Sequence, residues 1–238
     1  KKKNVPNLTS LDELRTYVNS LLVVRFSKVL ASLSALEFLE SIIWDQIRPK
    51  HIVVGYDFKF GNLQKGDIHL LKTWTQEKKI GLTVVEAVSY QHTLVKSSKI
   101  RSLFQEGDFD RAVRLLGHPY QIKGLVIKGD GRGRKIGFPT ANIRVSPIKL
   151  LPNPGVYSGY VFIKKKKLSA MIYIGKKPTF NGICMSVEVH IVGGDFSLYN
   201  RKLAVHVVHR IRGEIKFPSP VELITQIKAD IKKASNCC

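Results

Sequence analysis

Leu203-Ala204-Val205-His206-Val207-Val208-His209-Arg210-Ile211-Arg212 decides the class of the second half of this chain. Leu203, Val205, Val207 and Ile211 share one side of an extended backbone, with His206, Arg210 and Arg212 on the other; this is the two-residue period of a strand with one buried face. Runs of the same texture cover residues 120–128, 155–163, 168–175 and 185–192, separated by Gly, Pro and Asn, the punctuation of antiparallel structure. Lys164 to Lys167 sits between two of these runs and suits an exposed hairpin turn. Ser219-Pro220-Val221-Glu222 combines a capping box with a proline in the first turn, and Leu223, Ile227 and Ile231 give the following helix one apolar stripe. A small barrel closed by that helix would bury all of this.

Before Gly117 the pattern is α/β. Ser10-Leu11-Asp12-Glu13 and Ser34-Ala35-Leu36-Glu37 both have the Ser-x-x-Glu form in which each side chain satisfies a free amide of the other residue, so helices are expected at both. Apolar residues at helical spacing follow: Leu14, Val18 and Leu21 in the first helix, Leu36, Leu39, Ile43 and Ile47 in the second. Leu22-Val23-Val24-Arg25-Phe26 reads as a short strand. His51-Ile52-Val53-Val54 and Leu82-Thr83-Val84-Val85 have the β-branched character of parallel strands, and two brief helices end at Gly107 and Gly117. This half is expected to be an incomplete α/β layer, with domains at residues 1–117 and 118–238.

Within 238 residues, 39 Lys and Arg against 18 Asp and Glu leave a formal net charge of +21, which favours polyanionic partners. The basic residues are scattered; only Lys1-Lys2-Lys3 and Lys164 to Lys167 form runs, and such runs are weak nucleic-acid motifs. No apolar run approaches the roughly 20 residues that cross a bilayer. The start lacks the apolar core of a signal peptide. Cys184 falls in an expected loop and Cys237-Cys238 come last, so no Cys-x-x-Cys pair offers a metal or redox site. The expected setting is a reducing cytoplasm, with no membrane contact.

The chemistry concentrates in Lys128-Gly129-Asp130-Gly131-Arg132-Gly133-Arg134-Lys135-Ile136-Gly137-Phe138-Pro139-Thr140-Ala141-Asn142. Gly129, Gly131 and Gly133 would let a loop approach a ligand and turn its amides toward an anion, while Arg132 adds charge. It is neither a Walker A loop nor a dinucleotide fingerprint. On spacing alone a polyphosphate loop and a flexible basic hairpin both fit. Thr140 and Asn142 carry oxygen donors of the hard type that Mg²⁺ accepts beside phosphates; a Pro-Thr turn capped by Asn142 fits the same residues.

The chain from Tyr120 onward resembles the riboflavin kinase module of the bacterial bifunctional riboflavin kinase/FMN adenylyltransferases, or FAD synthetases. The resemblance is carried by the Gly-Asp-Gly-Arg-Gly-Arg loop, Gly137-Phe138-Pro139-Thr140-Ala141-Asn142, Pro154-Gly155-Val156-Tyr157, Ile174-Gly175 with Pro178-Thr179-Phe180, Val187-Glu188-Val189-His190, Asp195-Phe196 with Leu198-Tyr199, and Ile211-Arg212 with Lys216-Phe217. It implies a six-stranded antiparallel barrel with a C-terminal helix that converts riboflavin and ATP to FMN. By the same resemblance Thr140 and Asn142 hold Mg²⁺ and the ATP phosphates, Glu188 is the general base, and Arg212 and Phe217 lie near the flavin. Mid-strand between Val187 and Val189, Glu188 must face solvent or a lined cavity; an exposed strand carboxylate paired with a lysine is the plainer reading. His190, His206 and His209 are expected to alternate on strand faces.

The first half is similar to the Rossmann-like adenylyltransferase module of the same enzymes, which makes FAD from FMN. Gly55-Tyr56-Asp57-Phe58-Lys59-Phe60-Gly61, Lys65-Gly66-Asp67 and Lys96-Ser97-Ser98-Lys99-Ile100-Arg101 carry the likeness, with Lys59 where the family has arginine. It implies nucleotide or flavin contacts for Asp57, Phe58, Ser97, Ser98 and Arg101. Ser97 and Ser98, opening a helix, can offer hydroxyls and amides to phosphate, or can be ordinary caps. No His-x-Gly-His-type loop precedes Ser34, so little FMN adenylylation is expected of the residues present. The competing reading is a basic β-barrel that binds nucleic acid without catalysis. It would call for aromatics set as a stacking platform on one strand face, and Tyr157, Tyr160 and Phe162 change faces between odd and even positions.

Overall fold

The computed structural model describes residues 5–179, 182–194 and 196–236, and the side chains of all of these except 177–179 and 182–184. Phe180, Asp195, Lys1-Lys2-Lys3 and Cys237-Cys238, and the side chains of Pro178 and Thr179, lie outside the described residues. By contacts the chain forms two compact units, Leu22–Val95 and a second made of Lys1–Leu21 with Lys96–Cys238.

The second unit starts with α1 (Leu11–Leu14), where the Ser10/Glu13 capping box forms as expected. The helix is only 4 residues long, so the Leu14, Val18, Leu21 stripe does not materialise. Thr16 Oγ1 donates to the Glu13 carbonyl instead, and Tyr17 and Val18 are exposed with no core to reward a longer helix.

In Leu22–Val95 come α2 (Lys28–Ser32), α3 (Ala35–Glu37) capped by Ser34 and Glu37, and a π-helical stretch Phe38–Ile47. The wider π winding turns Leu39, Ile43 and Trp44 onto the core formed with Phe60, Leu71 and Trp74, and leaves Leu36 and Ile47 exposed, so the 3.6-period stripe is only half right. β1 (His51–Gly55), α4 (Ile68–Glu77) and β2 (Gly81–Val85) make a strand-helix-strand unit whose two strands pair in parallel. Residues 22–26 are not a strand: they are irregular, with Leu22, Val23, Val24 and Phe26 exposed, because β1 pairs with β2 alone. A short hairpin, β3 (Ser89–Tyr90) and β4 (Thr93–Leu94), completes the unit. At the edge of its core Trp74 Nε1 and Lys78 Nζ both donate to Glu40, at 2.8 Å each, and the Lys78 bond holds the Glu40 carboxyl below the usual carboxylate range.

The barrel unit resumes with α5 (Ser97–Glu106) and α6 (Phe109–Leu116), each ended by a left-handed glycine, Gly107 and Gly117, as expected. β5 (Tyr120–Ile127), the single turn α7 (Arg132–Lys135), β6 (Ala141–Val145), β7 (Gly155–Ile163), β8 (Lys166–Thr179), β9 (Gly182–Ile191), β10 (Lys202–Arg212) and α8 (Pro220–Ser235) follow. The six strands β5 to β10 close into an antiparallel barrel in the order β10-β5-β6-β9-β8-β7. Five were legible as apolar runs; β6 was not, being partly hidden in the Pro-Thr-Ala-Asn stretch. Cys184 lies on β9 rather than in a loop. Lys164 and Lys165 form the β7–β8 turn with positive φ at both.

Ile122, Val126, Ile143, Tyr157, Val161, Ile172, Ile174, Val187, Val189, Val205 and Val207 are buried in the barrel strands. Phe104 against Tyr120 and Phe109 against Tyr157, with ring centroids 4.6 and 4.9 Å apart, pack α5 and α6 onto the barrel. The unit also carries a fully buried ion pair: Lys149 Nζ reaches Glu13 Oε2 at 2.7 Å and the Leu8 carbonyl at 2.6 Å, above the Tyr120 ring. Glu13 Oε1 accepts from the Lys123 amide. Thus residues 5–14 are joined to the barrel by a salt bridge and by the Asn7–Lys149 backbone pairing.

The two-residue period of β10 breaks after Val207. Register shifts between Val207 and His209 and between Arg210 and Arg212 put Arg210 opposite the buried Tyr157 and Arg212 opposite Val156, so His206, Arg210 and Arg212 do not form one row. Such bulges re-aim side chains, and here Arg212 joins Val156 in lining a cavity.

Candidate active site

Glu188 sits on β9 between the buried Val187 and Val189, so alternation turns it to the barrel's outer wall. Its cross-strand neighbours are Asn142 on β6 and Tyr173 on β8. Thr140 Oγ1 donates to Glu188 Oε2 at 3.1 Å. Glu188 is therefore not an exposed strand carboxylate paired with a lysine: it lines a cavity of about 620 Å³. Val156, Met171, Tyr173, Phe138, Ile136, Ile215, Phe217, Leu223 and Ile227 make that cavity largely apolar, and Glu188, Arg212, Glu214 and Asp230 are its charged acids and base besides Lys216. Glu214 accepts from the Tyr173 hydroxyl at 2.7 Å; burial, with that bond next, pushes the Tyr173 hydroxyl up to about 12.

Arg212 is held tightly. Its Nε and Nη2 donate to Asp230 Oδ2 at 2.9 and 2.8 Å, and the Phe217 ring lies 5.6 Å from the guanidinium carbon.

On the other side of Asn142 lies a second cavity of about 870 Å³, lined by Lys128, Gly129, Asn142, Arg144, residues 146–147 and 149–154, Lys176 and Met185 to Val187. A Cβ on Gly129 would come within 2.2 Å of Asn142 Nδ2, so only glycine leaves room for the Asn142 amide. Gly133 is equally constrained, by the Phe138 carbonyl at 2.3 Å, which fastens the glycine-rich loop back onto the Pro139-Thr140 corner. The loop is thus partly helical rather than an open hairpin.

The candidate residues are partly brought together. Thr140, Glu188, Gly133, Arg212 and Phe217 line the apolar cavity; Asn142 and Gly129 line the second. Gly131 and Arg132 line neither, and Arg132, with 89% of its side chain exposed, pairs with Asp130 at 3.7 Å. Ser97 and Ser98 are exposed in the first turn of α5, whose N-cap is Lys96 without a side-chain bond, so neither serine is a cap. Arg101 Nε donates to the Pro6 carbonyl. In the other unit Asp57 is exposed just after β1 and Phe58 stacks on Phe60 at 5.4 Å.

Of the histidines, His190 donates to the Pro139 carbonyl, His206 stacks on Tyr160 at 4.7 Å, and His209 lies 3.4 Å from Asp110. Tyr173, Glu214 and Asp230 were missed by sequence reasoning. Asp230 had a signal: a carboxylate three positions after Ile227 falls on the apolar stripe of α8.

Residues 116–238 match the riboflavin kinase family model, and residues 7–99 match the FAD synthetase model. The bifunctional riboflavin kinase/FMN adenylyltransferase of Bacillus subtilis is 36% identical over 95% of this chain and 72% of its own length. The chain belongs to this family. The Escherichia coli enzyme of the same name is 36% identical, over 94% of the chain and 73% of that protein. A Streptococcus pneumoniae crystal structure described as a macrolide-efflux protein superimposes with a TM-score of 0.82 at 32% identity, covering 96% of this chain and 75% of that one. The family's activities are riboflavin phosphorylation and FMN adenylylation, with riboflavin, FMN and ATP as substrates. Among the described residues no helix is long and apolar enough to cross a membrane.

Proposed function

We propose that Glu188 is the general base of riboflavin phosphorylation, that the apolar cavity takes the flavin, and that the cavity beyond Asn142 takes ATP. The observation that carries this is that Glu188, in the wall of the apolar cavity, is hydrogen-bonded by Thr140 and paired across the strands with Asn142, which lines the second cavity. A planar, largely apolar isoalloxazine fits walls of Met171, Val156, Phe138 and Phe217, with Arg212 left to meet its polar edge. Lys128, Arg144 and Lys176 suit the second cavity to a polyphosphate.

The chemistry follows from those positions. The ribityl hydroxyl loses its proton to Glu188 as its oxygen bonds to the γ-phosphorus; the bond from that phosphorus to the β–γ bridging oxygen breaks, and ADP leaves. Thr140 steadies Glu188 through its hydroxyl. Thr140, Asn142 and Glu188 offer hard oxygen donors on adjoining segments, a set that fits Mg²⁺ retaining waters and phosphate oxygens. When bound there the ion would offset phosphoryl charge. Gly129, Gly131, Arg132 and Gly133 approach the phosphates as the glycine-rich loop, with Arg132 turning inward from solvent.

By this reading residues 118–238 are the kinase domain and 1–117 the adenylyltransferase domain, where Asp57, Phe58, Ser97, Ser98 and Arg101 contact nucleotide or flavin. The setting is cytoplasmic. Nucleic acid has no platform at Tyr160, which is already stacked on His206 and covered by the Lys167 ammonium at 4.3 Å. The test is Glu188→Gln, incubated with riboflavin, ATP and Mg²⁺ and read by flavin chromatography. FMN formation should fall at least about 100-fold with riboflavin binding kept; near-normal turnover would remove Glu188 from the role.

A further inference from the structure

We infer that Asp230 is a positioning residue for the flavin site, acting through Arg212. The inference rests on the reading that Arg212 meets the flavin. Asp230 is on α8, wholly inaccessible to solvent, on the face that also carries Leu223 and Ile227 into the apolar cavity. A carboxylate there is costly unless its oxygens are used. Both are: Oδ2 takes two bonds from Arg212, at 2.9 and 2.8 Å, and Oδ1 takes one from Gln226 Nε2 at 2.8 Å.

The consequence falls on Arg212. Nε and one hydrogen of Nη2 go to Asp230, and one hydrogen of Nη1 goes to the Gly213 carbonyl at 2.9 Å. The outer hydrogens of Nη1 and Nη2 are left for a ligand carbonyl or ring nitrogen, in one fixed plane. Phe217 covers that plane at 5.6 Å. The bulge before Arg212 aims the side chain into the cavity; Asp230 then selects its rotamer before the flavin arrives, so the ordering of a long, flexible side chain is complete before binding. Asp230 itself need not touch the flavin.

Riboflavin KM, ATP KM, kcat and thermal midpoint of the full chain test this, with riboflavin fluorescence titrated in the absence of ATP. Asp230→Asn should raise riboflavin KM and weaken the fluorescence titration by about five- to ten-fold, with ATP KM within about two-fold and a smaller effect on kcat. Arg212→Lys should raise riboflavin KM as well, and the double variant should be no worse than Arg212→Lys alone, since the two act as one unit. If Asp230→Asn folds poorly, Gln226→Leu, which removes only the second support of Asp230, should raise riboflavin KM by about two-fold. An unchanged riboflavin KM in both Asp230→Asn and Gln226→Leu, while Arg212→Lys raises it, would overturn the inference. So would equal losses in every kinetic parameter, the sign of a purely structural role. An unchanged riboflavin KM in Arg212→Lys would instead overturn the flavin reading of Arg212.

Discussion

Replacing Glu13 by Gln removes one charge from a pair in which each side chain is only 1% exposed. Lys149 would keep its bond to the Leu8 carbonyl and its place over Tyr120, but its ammonium would lack a counter-charge in the interior. Breaking a buried pair from one side costs about 3–5 kcal/mol. For a unit of this size, that lowers the thermal midpoint by roughly 6–20 °C at pH 7. The pH dependence gives the sharper signature. Burial already lowers the Lys149 pKa, and Glu13 pulls it back up. Without Glu13, Lys149 gives up its proton at lower pH. A base whose folded pKa lies below its unfolded one binds fewer protons when folded, so the stability attached to it rises with pH until the unfolded lysine titrates, near about 10.4. The deficit of Glu13→Gln should therefore shrink between pH 7 and pH 9.5, and Glu13→Gln/Lys149→Met should recover more than half of it at pH 7. Differential scanning calorimetry of the full chain at both pH values reads all of this. A midpoint lowered by less than about 2 °C at pH 7, or a deficit that widens toward pH 9.5, would refute the reasoning.

Gly129→Ala should lower kcat at least about ten-fold by displacing the Asn142 amide that its Cβ would strike, with little change in midpoint; steady-state FMN formation checks it. Phe109→Ala should destabilise the barrel unit by about 3–5 kcal/mol, because the ring is buried against Tyr157 and Phe104; urea unfolding measures it. Tyr157 and Tyr173 are both held up to about 12, so stability linked to them is intact below the unfolded tyrosine range and is lost as pH rises from about 10 to 12; absorbance at tyrosinate wavelengths should show them ionising only in that window or on unfolding.

The barrel was legible because its strands are apolar runs bounded by Gly, Pro and Asn, and α8 because Ser219 and Pro220 announce its start. β6 escaped because Ala141 and Asn142 are poor strand formers by themselves; the pairing of Ala141, Asn142 and Ile143 with Val189, Glu188 and Val187 decides the matter. The misread face of Arg210 has one cause, since a bulge adds a residue without changing local composition. Leu22 to Phe26 shows the converse, strand propensity with no partner strand. Of the candidate site, Thr140, Asn142 and Glu188 could be found by motif. Asp230 showed only as a carboxylate on the apolar stripe of α8 and Glu214 not at all, because what gives them their roles is a contact across 18 residues to Arg212 and across 41 to Tyr173.

The Glu13–Lys149 pair also sets a timetable for synthesis. Its partners are 136 residues apart in sequence. At about 5–20 residues per second a ribosome needs roughly 7–27 s to go from one to the other. Throughout that interval residues 5–14 have no barrel to dock on, while Leu22–Val95, a continuous stretch with its own core, is completed before Lys149 is made. The nascent chain therefore folds Leu22–Val95 before residues 5–14 are secured. Residues 5–14 are made well before the barrel that secures them, and a Glu13 variant should be most vulnerable to proteolysis during translation rather than after it.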